Sequence, residues 1–149
     1  MTVIWAHPSQ GPLYSALERF LCARIWGEVR PMPAGTIMAV QRDGNVIGAC
    51  LFANYDPEAG VIEMMSASVD ARWLSRPVLR EMFGFAFGQL GCQAAVLRVD
   101  PENARMLRIG KAYGFKRYDI PRLRGRNKAE AILVLGDDEW RSGRFFRGQ

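Results

Sequence analysis

The sequence predicts one α/β (α+β) domain: a mixed, mostly antiparallel central sheet flanked by helices. Three observations carry this. A hairpin signal and a following turn join three β-type runs between Ile37 and Val69 into an antiparallel meander. A strand, tight turn, helix and strand then follow in sequence from Val61 to Val99, the order of a βαβ unit. Finally, the helical stretches carry apolar stripes at 3.6-residue spacing, so each needs a sheet to cover.

The elements follow in order. Thr2–Trp5 is a short β-type run ended by His7-Pro8, and Ser9–Pro12 is a turn cluster. Leu13, Leu17, Phe20, Leu21 and Ile25 recur at helical spacing, with Gly27 as C-cap. Pro31–Gly35 is a linker. Ile37–Gln41 and Val46–Asn54 are strands around Asp43-Gly44, a turn pair that tolerates positive φ. The second strand is apolar on both faces and is expected at the centre of the sheet. Tyr55–Gly60 turns into Val61–Val69. A basic turn, Asp70–Pro77, leads to an apolar helix that ends near Leu90 at Gly91. Gln93–Val99 is a strand. Asp100-Pro101 is read as N-cap and first helical residue of a helix to Tyr113, closed by Gly114. Phe115–Tyr118 and Ala129–Leu135 are strands around the basic loop Pro121–Lys128. Asp137–Glu139 opens a final short helix with Trp140, Phe145 and Phe146.

Composition bounds the class. The 149 residues suffice for one domain with a real core, 49% apolar and 23% charged. No apolar run approaches the ~20 residues of a membrane span, and the first ten residues lack a signal peptide's basic start and apolar core. The expectation is a cytoplasmic protein without a membrane partner. Cys22, Cys50 and Cys92 show no metal or disulfide spacing and read as buried thiols. One histidine, His7, excludes a multi-histidine metal centre, and no metal is expected. The net charge is +5, with thirteen of the twenty Lys and Arg lying between Arg98 and Arg147. A solvated basic face explains this as well as an anionic partner such as nucleic acid does.

The unpaired amides expected where the helix follows Arg72–Pro77 make that turn a candidate phosphate site. Ser75 allows close approach and carries a donor; Arg72 and Arg76 add charge. An ordinary capped corner with two surface arginines remains the alternative.

The order of elements from about Thr36 to Leu135 resembles the GNAT superfamily of acetyl-CoA-dependent N-acetyltransferases. The best-matched piece is Val99–Phe115, where Asn103 opens a helix and Gly114-Phe115 follow eleven and twelve residues later. The turn at Arg72-Trp73-Leu74-Ser75-Arg76-Pro77 is similar to the family's pyrophosphate turn but lacks its glycines. It also resembles compact members encoded in tailed phages and prophages. The resemblance implies that Val61–Val69 and Ala94–Val99 splay to form a cofactor cleft for acetyl-CoA. The backbone at Ala67, Ser68 and Val69 would pair with the pantetheine arm, Asn103 and Leu107 would meet it from the other wall, and Arg72–Pro77 would hold the pyrophosphate. Many members place an acid tyrosine four residues before the Gly of Gly-Phe; here that residue is Gly110. Glu63 is the expected base by position, and Ser66, Tyr55 and Tyr118 are polar candidates for the acceptor side. The implied reaction is acetyl transfer to a primary amine of a small molecule or protein, by direct attack in a ternary complex. Two alternatives stay open: an enzyme of this fold directed at a DNA base or charged tRNA, and a non-catalytic interaction module. For the latter, or for a homodimer, Trp140, Phe145 and Phe146 are the expected exposed contacts, with packing on the sheet as their other reading.

Overall fold

A computed structural model of the chain describes residues 1–147. Seven strands form one sheet in the order β1-β2-β3-β4-β5-β7-β6. They are β1 (Thr2–Ala6), β2 (Gly35–Arg42), β3 (Asn45–Asp56), β4 (Val61–Ser68), β5 (Ala94–Val99), β6 (Lys116–Ile120) and β7 (Glu130–Gly136). Every neighbouring pair is antiparallel except β4 with β5. The predicted meander is β2-β3-β4. Its first turn has positive φ at both Asp43 (52°) and Gly44 (79°), the primed geometry that matches strand twist.

The sheet separates two cores. On one face α1 (Gly11–Ile25) lays Tyr14, Leu17 and Leu21 over β2 and β3. The Tyr14 hydroxyl accepts from the Gly35 amide at 3.2 Å, tying the helix to the start of β2. On the other face lies α2 (Arg76–Phe83), which runs on as a π-helical stretch, Gly84–Gln89. Its Val78, Leu79, Met82 and Phe83 pack on the even-numbered residues of β4 and the odd-numbered residues of β5 and β7. Helix α3 (Ala104–Tyr113) ends at Gly114 with φ 102°, in the left-handed conformation expected of the cap. The chain closes with α4 (Asp137–Ser142) and α5 (Arg144–Arg147). All three cysteines are buried and free. Among the described residues no helix is long and apolar enough to cross a membrane.

Two expectations are corrected. Asp100-Pro101 starts a turn, not α3: the Asn103 amide donates to the Asp100 carbonyl at 2.8 Å. Asn103 is the N-cap, its side-chain oxygen accepting from the Met106 amide at 3.1 Å. The second correction concerns the aromatic cluster. Trp140 is 3% exposed and packs 4.3 Å from Phe83, because α4 folds back on β7 and closes that core. Phe145 stands edge-on to Tyr113 at 4.7 Å, and of the three only Phe146 is exposed.

Candidate functional site

The cleft follows from the pairing register. β4 and β5 pair only from Val61–Met64 to Ala94–Leu97. Beyond that, β4 stays bonded to β3 through Ser68, and β5 to β7 through Val99. Each strand is therefore held by its outer neighbour while the inner ladder stops. The gap opens into a cleft of about 880 Å³. Among the described residues the inner edge of β4 from Met65 to Ser68 has no strand partner and faces the cleft, so backbone donors and acceptors point into it.

The walls come from several elements, β5 among them with Leu97, Arg98 and Val99. β4 supplies Glu63 through Ser68, and the turn after it supplies Trp73 and Leu74. Asn103, Arg105, Met106 and Ile109 line it from α3, and Arg24 and Trp26 from the end of α1. Thus Glu63, Ser66, Ala67, Ser68, Trp73, Leu74 and Asn103 come together. The other sequence candidates lie outside that lining. Val69 is half exposed past the end of β4, and Leu107 packs on the core beneath α3. The Tyr55 hydroxyl donates to the Leu90 carbonyl at 3.0 Å, and Tyr118 lies on β6.

The turn before α2 offers fewer amides than expected. The Ser75 hydroxyl accepts from Val78, Pro77 has no N–H, and Arg76 is the remaining donor of the first helical turn. Arg72 is paired with Asp70 at 3.2 Å, and its guanidinium hydrogen bond holds the Asp70 carboxyl down at about 2. Arg76 lies 5.8 Å over the Phe145 ring.

Glu63 is half buried, and the Asn54 amide donates to it at 2.9 Å. Asn54 has φ 52°, a conformation asparagine tolerates, at a β3–β4 register irregularity that turns it toward Glu63. Gly110 is buried with its missing side chain directed at β7: a Cβ there would lie 2.6 Å from Leu133 Cδ1. No side chain at position 110 would enter the cleft. Tyr113 is half buried among apolar neighbours, which raises its pKa.

The sequence reading missed the charge network at the far end of the cleft. Glu130, 3% exposed, accepts from Arg98 Nε and Arg124 Nη1, both at 2.6 Å. Lys128 Nζ donates to Asp100 at 2.9 Å and holds that carboxyl's pKa down. Half of the alternating basic loop is therefore neutralised and pinned to the cleft. The available signal was one charge in each of two otherwise apolar strands, Arg98 in β5 and Glu130 opening β7.

Solved structures share this architecture. A mutant of spermidine N-acetyltransferase SpeG from Vibrio cholerae superposes with TM-score 0.72 at 12% identity, covering 100% of both chains. A GCN5-related N-acetyltransferase from Brucella melitensis matches with TM-score 0.60 at 25% identity, over 77% of this chain and 55% of its own. The chain has the GNAT fold. A chimera of the Vibrio cholerae enzyme is similar with TM-score 0.61 at 14% identity, over 70% of this chain and 68% of that one. The chain thus spans between 55% and 68% of the length of the first structures it matches. No protein-family model and no curated protein matches the sequence. Within the GNAT fold the β4–β5 gap is the feature that this chain's own pairing register explains.

Proposed function

We propose that the chain is an acyl-CoA-dependent N-acetyltransferase that moves an acetyl group to a primary amine by direct attack. The observation that carries this reading is the unpaired inner edge of β4, Met65–Ser68, facing a cleft of about 880 Å³. An extended amide-bearing arm fits such an edge, because it completes the strand's interrupted hydrogen bonds. The Asn103 side chain caps α3 with its oxygen and keeps its N–H groups for the same arm. Bound there, acetyl-CoA would supply the thioester whose acetyl carbon the amine attacks.

Glu63 is the base in this reading. Asn54 orients its carboxylate, which takes the amine's proton through water. The proton for the departing sulfur comes from solvent, since no tyrosine of α3 faces the cleft. Rate enhancement then rests mainly on positioning. Arg76 and the Ser75 hydroxyl are the groups for the pyrophosphate; Arg72, held by Asp70, contributes less. The paired state of Arg124 and Lys128 favours a small or protein amine over nucleic acid as acceptor.

Isothermal titration with acetyl-CoA and with free CoA tests this. Micromolar binding is expected, lost in the Ser75→Glu/Arg76→Glu variant. That variant also removes a helix cap, so its melting curve is recorded alongside. No heat at millimolar ligand would overturn the reading.

A further inference from the structure

Strand β6 ends the sheet, and all five of its residues are exposed. Among the described residues no strand pairs with its outer edge, and β6 contains neither proline nor a register irregularity. An open edge of this kind is a template for another strand.

The charges on β6 say which strand. Arg117 and Asp119 sit on one face, two residues apart, in a bidentate pair of 2.8 and 3.2 Å. They flank Tyr118 symmetrically. In a continuous antiparallel sheet, residues directly opposite share a face, so a twofold axis must pass through a residue and not between two. An axis at Arg117 or Lys116 sets like cations opposite each other, and one at Asp119 sets two carboxylates opposite. Centring on Ile120 brings in Pro121, which has no N–H, and Arg122, whose φ of 72° leaves the strand. Centring on Tyr118 sets each Arg117 opposite an Asp119 of the second copy. Each of those pairs is already ordered within its own strand, so joining them costs little further side-chain entropy.

The other face of β6 agrees. Tyr118 and Ile120 are 53% and 39% exposed. Their register partners on β7 are Ile132 and Glu130. Helix α1 covers only the β2–β4 half of this side of the sheet, leaving Val96, Ile132 and Val134 partly exposed. Exposed apolar residues therefore continue up to the same edge.

We propose that β6 is a self-complementary docking edge: two copies of this chain pair their β6 strands antiparallel about Tyr118, joining two seven-stranded sheets into one. The geometry is independent of the chemistry in the cleft.

Sedimentation equilibrium over micromolar to sub-millimolar protein tests it. The chain should weigh as a dimer. Arg117→Asp and Asp119→Arg should each be monomeric, because each sets like charges opposite in the Tyr118 register and leaves like charges on the axis in the Lys116, Arg117 and Asp119 registers. An equimolar mixture of these two variants should regain the doubled mass. In the mixed pair, the carboxylates at positions 117 and 119 of one copy face the guanidinium groups at positions 119 and 117 of the other. The internal Arg117–Asp119 pair is broken in both variants, so recovery in the mixture reports the contact between copies. A wild-type monomer throughout the range, single variants as dimeric as wild type, or a mixture that stays monomeric would each overturn the proposal.

Discussion

Replacing Gly48 with alanine tests how the sheet sets the cleft wall. Gly48 lies in the middle of β3, and the Trp73 indole rests where its side chain would be. A Cβ would fall 2.4 Å from Trp73 Cδ2 and Cε3 and 2.8 Å from Cγ. Those are ring atoms of a residue 5% exposed, so the indole cannot turn away without moving its backbone. Overpacking of this kind costs about 1–3 kcal/mol. For a chain of this size that lowers Tm by roughly 2–4 °C per kcal/mol, hence by about 2–12 °C. The Ala71–Trp73 turn should shift with the ring and weaken the acetyl-CoA binding proposed above. Gly110→Ala is the control. Its one tight contact is the Leu133 Cδ1 methyl, at 2.6 Å, the far end of a flexible side chain, while Phe115 Cβ and Leu133 Cγ lie at ordinary contact distances of 3.8 and 3.9 Å. Alanine also favours the helix by roughly 1 kcal/mol over glycine. Gly110→Ala should therefore melt near wild type. Scanning calorimetry of both variants decides the matter. The packing argument fails if Gly48→Ala melts within about 1 °C of wild type. It fails equally if Trp73→Leu, which makes room, does not lessen the cost of Gly48→Ala in the double variant.

Glu130→Gln should cost about 2 kcal/mol, because a charged acceptor for two arginines becomes an amide whose N–H₂ faces one of them. The half-exposed arginines rehydrate, which limits the loss. Trypsin should then cut the Arg122–Lys128 loop several-fold faster; an unchanged cleavage rate would mean Glu130 does not hold the loop. Asp70 gives a pH dependence. Its folded pKa, about 2, lies below the ordinary 3.8, chiefly through the Arg72 hydrogen bond. The group's stabilisation is therefore complete above 3.8 and is lost as pH falls toward 2. Asp70→Asn should flatten the Tm-versus-pH curve across that window, and a curve parallel to wild type would contradict this.

Much of the fold was legible because it rests on local rules. The Asp43-Gly44 hairpin, the left-handed cap at Gly114 and the apolar stripe of α2 each depend on neighbours a few residues apart. Asn103 was legible as the residue that opens a helix only through the family resemblance. The Asp100-Pro101 expectation failed because a β-turn and a helical first turn ask for the same residues, and only the Asn103 cap separates them.

The cleft was legible only through family resemblance, because its cause is non-local. The gap exists because β3 holds β4 and β7 holds β5 past the point where β4 and β5 stop pairing. The Glu130 network joins residues 32 and six positions apart along the chain. The burial of Trp140 depends on α4 returning over β7, and the direction of Gly110 depends on how closely α3 approaches Leu133. Sequence periodicity determined which residues face a core. Which strands separate, which charges meet and which aromatic closes the core were settled by tertiary packing, because each is a property of two segments that the chain brings together only on folding.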